Sequence, residues 1–187
     1  MDAIEALRGR VSVPRLVEPA PSSEQLDILF QAALRAPDHA MLRPWRYITI
    51  SGEARERLGE LYAKAAQADQ PDLEEEMLDR YRGLPLRAPM LVALVLTPQQ
   101  HPKVPEIEQV LSLGAACHGM MVAAHAMGVG AMWRTGAISY HPLVEEGLGL
   151  TGDEKLYGFM YLGTPDGVRK KRPQLAVSNF VSAWPEG

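Results

Sequence analysis

The spacing of apolar residues in the first third of the chain alternates between helical and strand-like patterns. Apolar side chains recur at helical spacing in residues 23–35, and Ser22 or Ser23 can cap that helix. Asp2 and Glu5 resemble a capping box at the start of a short first helix. The pattern therefore predicts helices over 2–8, 23–35 and 53–67, and a strand over 47–50.

Two long apolar stretches dominate the rest of the pattern. Residues 90–96 (MLVALVL) are continuously apolar, which is typical of a strand buried on both faces. Residues 106–127 are apolar nearly all round a helix, which predicts a central helix, and Gly114 and Gly119 would let neighbours approach it closely. The pattern also predicts a helix over 72–82, strands over 131–136 and 155–163, and a small helix after Pro142.

These elements predict an α+β fold, with a sheet flanked by helices and one long central helix, because no regular βαβ alternation is present. The length of 187 residues suits a single domain. Residues 166–187 are basic and then polar, so they cannot form a core of their own. We expect this C-terminal arm to lie across the domain, to cross to a second subunit, or to stay disordered.

Composition narrows the possible classes of protein. The net charge of −4 argues against general nucleic-acid binding. The single cysteine, Cys117, lies in an apolar helical run, so it makes no intrachain disulfide and we expect it to be buried. The N-terminus lacks the apolar core of a signal peptide, and no uninterrupted apolar run reaches the roughly 18 residues of a membrane span. We therefore expect a cytoplasmic protein without a membrane partner.

The segment 35–45 (RAPDHAMLRPW) is the most informative loop. Pro37 and Pro44 bracket residues that can continue neither a helix nor a central strand, so the loop has an imposed shape. It contains His39, and Arg35 stands at its edge. A rigid loop with polar groups after a helix favours ligand binding, and the alternative is an ordinary surface turn.

Three segments suit an anionic, planar cofactor. An arginine fork with a nearby hydroxyl suits a phosphate, and a Trp–Arg pair before a glycine can offer an aromatic wall and a cation. Each has a plainer alternative: a surface arginine in a turn, a cation at a helix end, or a buried tryptophan. The candidates are Arg10, Val11 and Ser12; Arg35 and His39; and Trp133, Arg134 and Thr135. A fourth basic cluster, at 169–172, is more typical of a solvated tail.

The sequence contains none of the common catalytic signatures. It has no dinucleotide fingerprint after a strand, no phosphate-binding P-loop and no serine in a nucleophile elbow. It also has no HExxH motif or Cys/His cluster, so we expect no metal site. If the protein is an enzyme, a cofactor carries the reaction.

In their order along the chain, these segments resemble the FMN-dependent nitroreductase family, and most of all its short, YdjA-like bacterial branch. The resemblance covers about residues 1–165. It is carried by MDAIEALRGRVS, EPAP, RAPDH…PW, AACHGMMVAAHAMGVG, WRTGA and YLGTP. It implies a nitroreductase-like α+β fold with a mostly antiparallel central sheet, and a homodimer with FMN at the subunit interface. The C-terminal arm would cross to the partner.

The resemblance also implies roles for individual residues. Arg10, Val11 and Ser12 would hold the phosphate end of FMN, and Trp133, Arg134 and Thr135 would line the flavin from the same chain. Arg35 would meet the flavin or its ribityl chain, and His39 would reach the FMN bound mainly by the partner. The nicotinamide nucleotide would meet the end of the long helix, at Ala123, Ala124, His125, Ala126, Met127 and Gly128.

The sequence departs from the family pattern at three places. Many relatives carry a basic residue at the position of Val11, which would remove one phosphate contact here. The wider family often has Pro-Ser near the position of Asp38. Other members hold the phosphate with a basic pair near the C-terminus, where this chain has Arg169 and Lys170.

The implied activity is transfer of hydride from NADH or NADPH to FMN N5, followed by reduction of a small acceptor such as a nitroaromatic or a quinone. Three alternatives stay open. The same fold could serve a flavin-dependent dehydrogenase or a flavin-fragmenting enzyme. It could bind or sequester flavin with little turnover. The chain could also be an α+β interaction domain without a cofactor.

Overall fold

The computed structural model describes residues 1–167 and 174–185, and within these ranges it contains one five-stranded sheet. Every strand pairing is antiparallel, with β5 between β3 and β4, β2 outside β3, and β1 beside the end of β5. The strands are β1 Leu16–Val17, β2 Trp45–Ser51, β3 Met90–Leu96, β4 Gly130–Arg134 and β5 Lys155–Pro165. The expected α+β fold with a mostly antiparallel sheet is confirmed.

Six α-helices accompany the sheet in the described ranges. Local capping fixes where the first two begin, since the carboxylate of Asp2 accepts from the Glu5 N–H and Ser22 forms a full capping box with Gln25. The helices are α1 Ala3–Gly9, α2 Ser23–Ala33, α3 Glu53–Asp69, α4 Glu75–Arg82, α5 Glu106–Ala126 and α6 Pro142–Gly147.

The predicted elements exist, and their ends differ by a few residues. The predicted helix over 72–82 begins only at Glu75, and α2 ends at Ala33, short of the predicted Arg35. The two-residue β1 was not predicted, because it is too short to show a strand period.

The sheet separates two hydrophobic clusters. On one face, α2 and α5 pack against Val92, Leu94 and Leu96 of β3. On the other, Leu58 and Tyr62 of α3 belong to a cluster that also contains alternate residues of β3 and β5. The prediction that residues 90–96 form a strand buried on both faces is therefore confirmed.

The long helix α5 packs against α2, α1 and the sheet, but it is not enclosed on every side as predicted, because Ile107 and Leu111 are exposed in the single chain. Its two glycines also differ in role. A Cβ on Gly119 would lie 3.1 Å from the carbonyl oxygen of Ala32, so this glycine does allow a close approach of α2. A Cβ on Gly114 would meet nothing within 4 Å among the described residues, so no neighbour within the chain uses this glycine for a close approach. The helix α5 is long and apolar enough to cross a membrane, and core helices of soluble proteins often meet the same two criteria. Within the structure, 44% of its most apolar 18-residue window is buried.

An ion pair ties the edge strand β2 to the turn before β5. Arg46 Nε lies 2.5 Å from Glu154 Oε1, and Arg46 Nη2 lies 2.8 Å from Glu154 Oε2. The hydrogen bonds from Arg46 hold the pKa of Glu154 below its ordinary value. Because the ionised form of Glu154 is favoured in the folded protein, this carboxylate stabilises the fold at any pH above its ordinary pKa. That stabilisation is lost as the pH falls through the lowered pKa of the folded state.

We expect Glu154→Gln to lower the free energy of unfolding at pH 7 by about 1–2 kcal/mol, because a hydrogen-bonded charge pair is lost. Denaturant unfolding at several pH values checks this. The difference from the parent should shrink as the pH falls below the ordinary carboxyl range. Glu146→Gln, at an exposed position on α6, is the matched control and should change stability by less than about 0.5 kcal/mol. An equal loss in both variants would contradict the assignment.

Candidate active site

A cleft of about 480 Å³ lies where the segment after α1 meets β4 and α5. Its volume is in the range of about 300–1,000 Å³ that is usual for ligand sites. The backbone N–H of Val13 donates to the Ala131 carbonyl at 3.0 Å, which holds this segment beside β4. The cleft is lined by Arg10, Ser12, His118, Met121, Trp133 and Thr135. Two of the three predicted segments are therefore brought together.

Arg10 gives the cleft an unsatisfied cation. It follows directly after α1, and its Nη1 atom is buried without a hydrogen-bond partner in the described part of the chain. A buried donor of this kind is costly unless a ligand satisfies it. Together with the hydroxyl of Ser12, this guanidinium fits a phosphate or another oxyanion.

Trp133 forms a fixed wall of the cleft. Its indole N–H donates to the Tyr157 carbonyl at 2.9 Å, so the ring orientation is set by β5. Gly158 makes this approach possible, because a Cβ there would lie 2.4 Å from the carbonyl oxygen of Arg134 and 3.2 Å from Trp133 Nε1. Gly158 also has a φ of +94°, which a side chain would strain. Sequence reasoning missed this residue, since a glycine within a strand pattern has several explanations.

Arg134 points away from the cleft. Successive residues of a strand face opposite sides of the sheet, so Trp133 packs toward α5 while Arg134 lies over Tyr161 on the other face. Its Cζ is 5.3 Å from the centre of the Tyr161 ring, and its Nη2 donates to the Pro14 carbonyl at 3.2 Å. The side chain of Arg134 is thus separated from Arg10, and a contact of Arg134 with flavin stays a prediction.

The loop that carries Arg35 and His39 lies outside this cleft. His39 Nδ1 is 2.6 Å from Glu108 Oε2 at the start of α5, and both side chains are about half exposed. Three residues that are not glycine have positive φ: Ala40 at 62°, Met41 at 55° and Arg43 at 50°. Such strain tends to cluster at functional sites. The predicted flavin contacts of Arg35 and His39 are not tested by these positions.

The end of α5 does not join the cleft either. Ala124 is fully buried, so its side chain is unavailable to a ligand. Met127 and Gly128 border a separate pocket of about 140 Å³ beside Pro19 and Pro21. The assignment of residues 123–128 to the nicotinamide nucleotide therefore stays a prediction.

Two residues of α5 in the cleft were missed, His118 and Met121. They lie about one helical turn apart and so share a face of the helix. A histidine within an apolar helix was the available signal, and the pattern alone could not say that this face borders a cavity. Arg169 and Lys170, for which the sequence left a phosphate contact open, lie outside the described residues.

The described residues offer no obvious side-chain catalyst. No group of three His, Cys, Asp or Glu side chains among them could hold a metal ion. Cys117 is buried, as expected, and burial raises the pKa of its thiol to about 12, which keeps it protonated at neutral pH. The chemistry that fits the cleft is binding of a ligand with an anionic group and an aromatic part.

The fold is shared with solved structures of flavin-dependent reductases. A mutant of the FMN and NADPH-dependent nitroreductase NfnB, from sphigopyxis sp. strain HMH, matches with a TM-score of 0.79 and 18% identity, covering 99% of this chain and 100% of that one. A nitroreductase with bound FMN from Bacteroides fragilis matches with a TM-score of 0.76 and 19% identity, covering 98% and 99%. At these identities the likeness shows the fold alone.

Sequence comparison is more specific. The profile of the nitroreductase family matches residues 7–164, and the chain belongs to this family. The "Putative NAD(P)H nitroreductase YdjA" of Escherichia coli strain K12 is 42% identical over 165 residues, which are 88% of this chain and 89% of that protein. The resemblance stated from the sequence motifs is therefore confirmed.

Proposed function

We propose that the protein is an FMN-dependent NAD(P)H oxidoreductase. Membership of the nitroreductase family and the name of the Escherichia coli relative support this activity. The observation that carries it is the buried, unpartnered Nη1 of Arg10 in a cleft that also contains Trp133. A phosphate would accept hydrogen bonds from Arg10, and a planar ring system would pack against Trp133.

In this proposal each side chain of the cleft has a binding role. Arg10 and Ser12 hold the FMN phosphate, with Val11 contributing its backbone, and Trp133 and Thr135 line the flavin. When bound, FMN supplies the hydride-accepting centre between NADH or NADPH and a small acceptor such as a nitroaromatic or a quinone. The protein binds and orients the reactants, and no described side chain need act as a general acid.

We also propose a homodimer with the FMN at its interface. Large apolar side chains are exposed on adjoining helices, including Ile4 of α1 and Leu111 of α5, and along the described part of the C-terminal arm, where Trp184 is 95% exposed. Monomeric proteins rarely leave such side chains together in water, so a second copy would cover them. The arm would cross to the partner.

We also propose ligand contacts for the loop over residues 35–45 and for the C-terminal end of α5. His39 would contact FMN bound mainly by the partner, and Arg35 would meet the flavin or its ribityl chain. The nicotinamide nucleotide would approach residues 123–128. We propose the cytoplasm, where NADH and NADPH are available, as the compartment.

A visible spectrum of the purified protein tests the function. We expect a yellow protein, or one that takes up added FMN, whose flavin band bleaches without oxygen when NADH or NADPH is added. Light scattering of the same sample should give twice the 20.6 kDa of one chain. A colourless protein that does not take up FMN would overturn the proposal. Flavin that binds without being reduced by either nucleotide would instead favour a flavin-binding module.

A further inference from the structure

A second cavity, of about 350 Å³, lies on the opposite side of β4 from the flavin cleft. Trp133 and Thr135 border both spaces, but the second one opens toward α3 rather than α5. Its charged residues are Arg134 and Arg87, the latter from the turn before β3. No acidic side chain of the described chain lines it.

The positive charge in this cavity is unpaired. Arg134 Nε is buried and has no hydrogen-bond partner among the described residues. Arg87 is exposed and forms no ion pair or hydrogen bond within the same part of the chain. Burial first, and the nearby charge of Arg87 in addition, lower the pKa of Arg134. Two guanidinium groups that repel each other beside one cavity are stabilised by a bound anion.

The remaining walls are mainly aromatic and aliphatic. Phe159 and Ile138 contribute apolar surface, and Tyr161 presents its ring beneath Arg134. The hydroxyl of Tyr161 is already occupied, since it donates to the Leu84 carbonyl at 3.2 Å. Apart from the hydroxyl-bearing residues Tyr62, Thr135 and Ser139, the cavity offers cations at one part of its surface and apolar groups elsewhere, which suits an amphipathic ligand better than a hydrated inorganic ion.

We propose that this cavity binds a small organic carboxylate, with its carboxylate between Arg87 and Arg134 and its hydrocarbon part against Phe159 and Ile138. Paired guanidinium donors match the planar, two-oxygen geometry of a carboxylate. The site is separate from the flavin cleft and does not depend on the oxidoreductase activity. Because Trp133 and Thr135 border both spaces, an occupant would lie next to the flavin without contacting the Arg10 cation.

Calorimetric titration with benzoate tests the site. The protein is saturated with FMN, or used as purified if it takes up none, so failure of the flavin proposal leaves this test intact. We expect benzoate to bind, and the neutral isostere benzamide to bind at least about tenfold more weakly. Arg87→Met should weaken benzoate binding at least about tenfold, and it should fold normally because Arg87 is exposed and unpaired. Arg80→Met, at an exposed arginine of α4, should leave binding unchanged.

Three results would overturn the inference. Benzoate affinity could be the same in Arg87→Met as in the parent. Benzoate could bind only the flavin-free protein and compete with added FMN, which would locate the ligand in the cleft lined by Arg10. Inorganic phosphate could bind as tightly as benzoate, which would remove the role of the apolar walls.

Discussion

Arg10→Met is expected to weaken FMN binding about 10- to 150-fold, the equivalent of about 1.5–3 kcal/mol for a lost hydrogen-bonded charge contact. The methionine keeps the apolar stem of the side chain and removes the guanidinium. In the parent, Nη1 is buried without a partner among the described residues, so under the proposed function the FMN phosphate would satisfy it. Because this donor has no partner in the described chain, its loss should barely change folding stability.

Fluorescence titration of flavin-free protein with FMN measures the effect. Arg57→Met, at an exposed arginine on α3 away from the cleft, is the matched control and should leave affinity unchanged. Riboflavin gives a second comparison, because it lacks the phosphate. The parent should prefer FMN to riboflavin, and Arg10→Met should lose most of that preference. An unchanged preference would mean that Arg10 does not contact the phosphate.

Gly158→Ala is expected to cost about 3 kcal/mol or more of the free energy of unfolding. Its φ of +94° is strained for alanine, which costs about 1–3 kcal/mol. The added Cβ would also lie 2.4 Å from the Arg134 carbonyl oxygen and 2.8 Å from Thr135 Cγ2, so β4 must move away from β5. At about 2–4 °C per kcal/mol for a chain of this size, the melting temperature should fall by roughly 6–12 °C.

The same substitution should disturb the site, because Trp133 of β4 and Thr135, which follows β4 directly, line the cleft that contains Arg10. Thermal unfolding and FMN titration of one preparation measure both effects. Gly83→Ala, at the end of α4, is the matched control, since a Cβ there would make only ordinary contacts at 3.5–3.6 Å and its φ of −74° suits alanine. If Gly158→Ala were as stable as the parent, the close β4–β5 contact would be wrong.

Local sequence signals located the main elements because the cause of each element is local. The continuous apolar run 90–96 could be satisfied only by burial on both faces, and this is where β3 lies. The serine caps and the acidic first turn of α2 set its start independently of the rest of the chain. Helix ends were less exact, because the last turn of α2 depends on the proline loop that follows it.

Part of the site was also visible in the sequence. Arg10 and Ser12 stand out as an arginine and a hydroxyl just after a helix, and Trp133 as an aromatic residue before a glycine. Strand geometry by itself puts Trp133 and Arg134 on opposite faces. The periodicity could not say which face would border which cavity.

The sequence by itself determined the two long apolar elements, the caps and the residue types able to bind an anion, because these follow from neighbouring residues and their spacing. The tertiary structure alone decided three relations: His118 lines the same cleft as Arg10, Gly158 lets β4 approach β5 closely, and Arg134 and Arg87 line a separate cavity. These relations join residues that are distant along the chain. They arise only when the strands pair into the sheet and its two faces are covered by different helices.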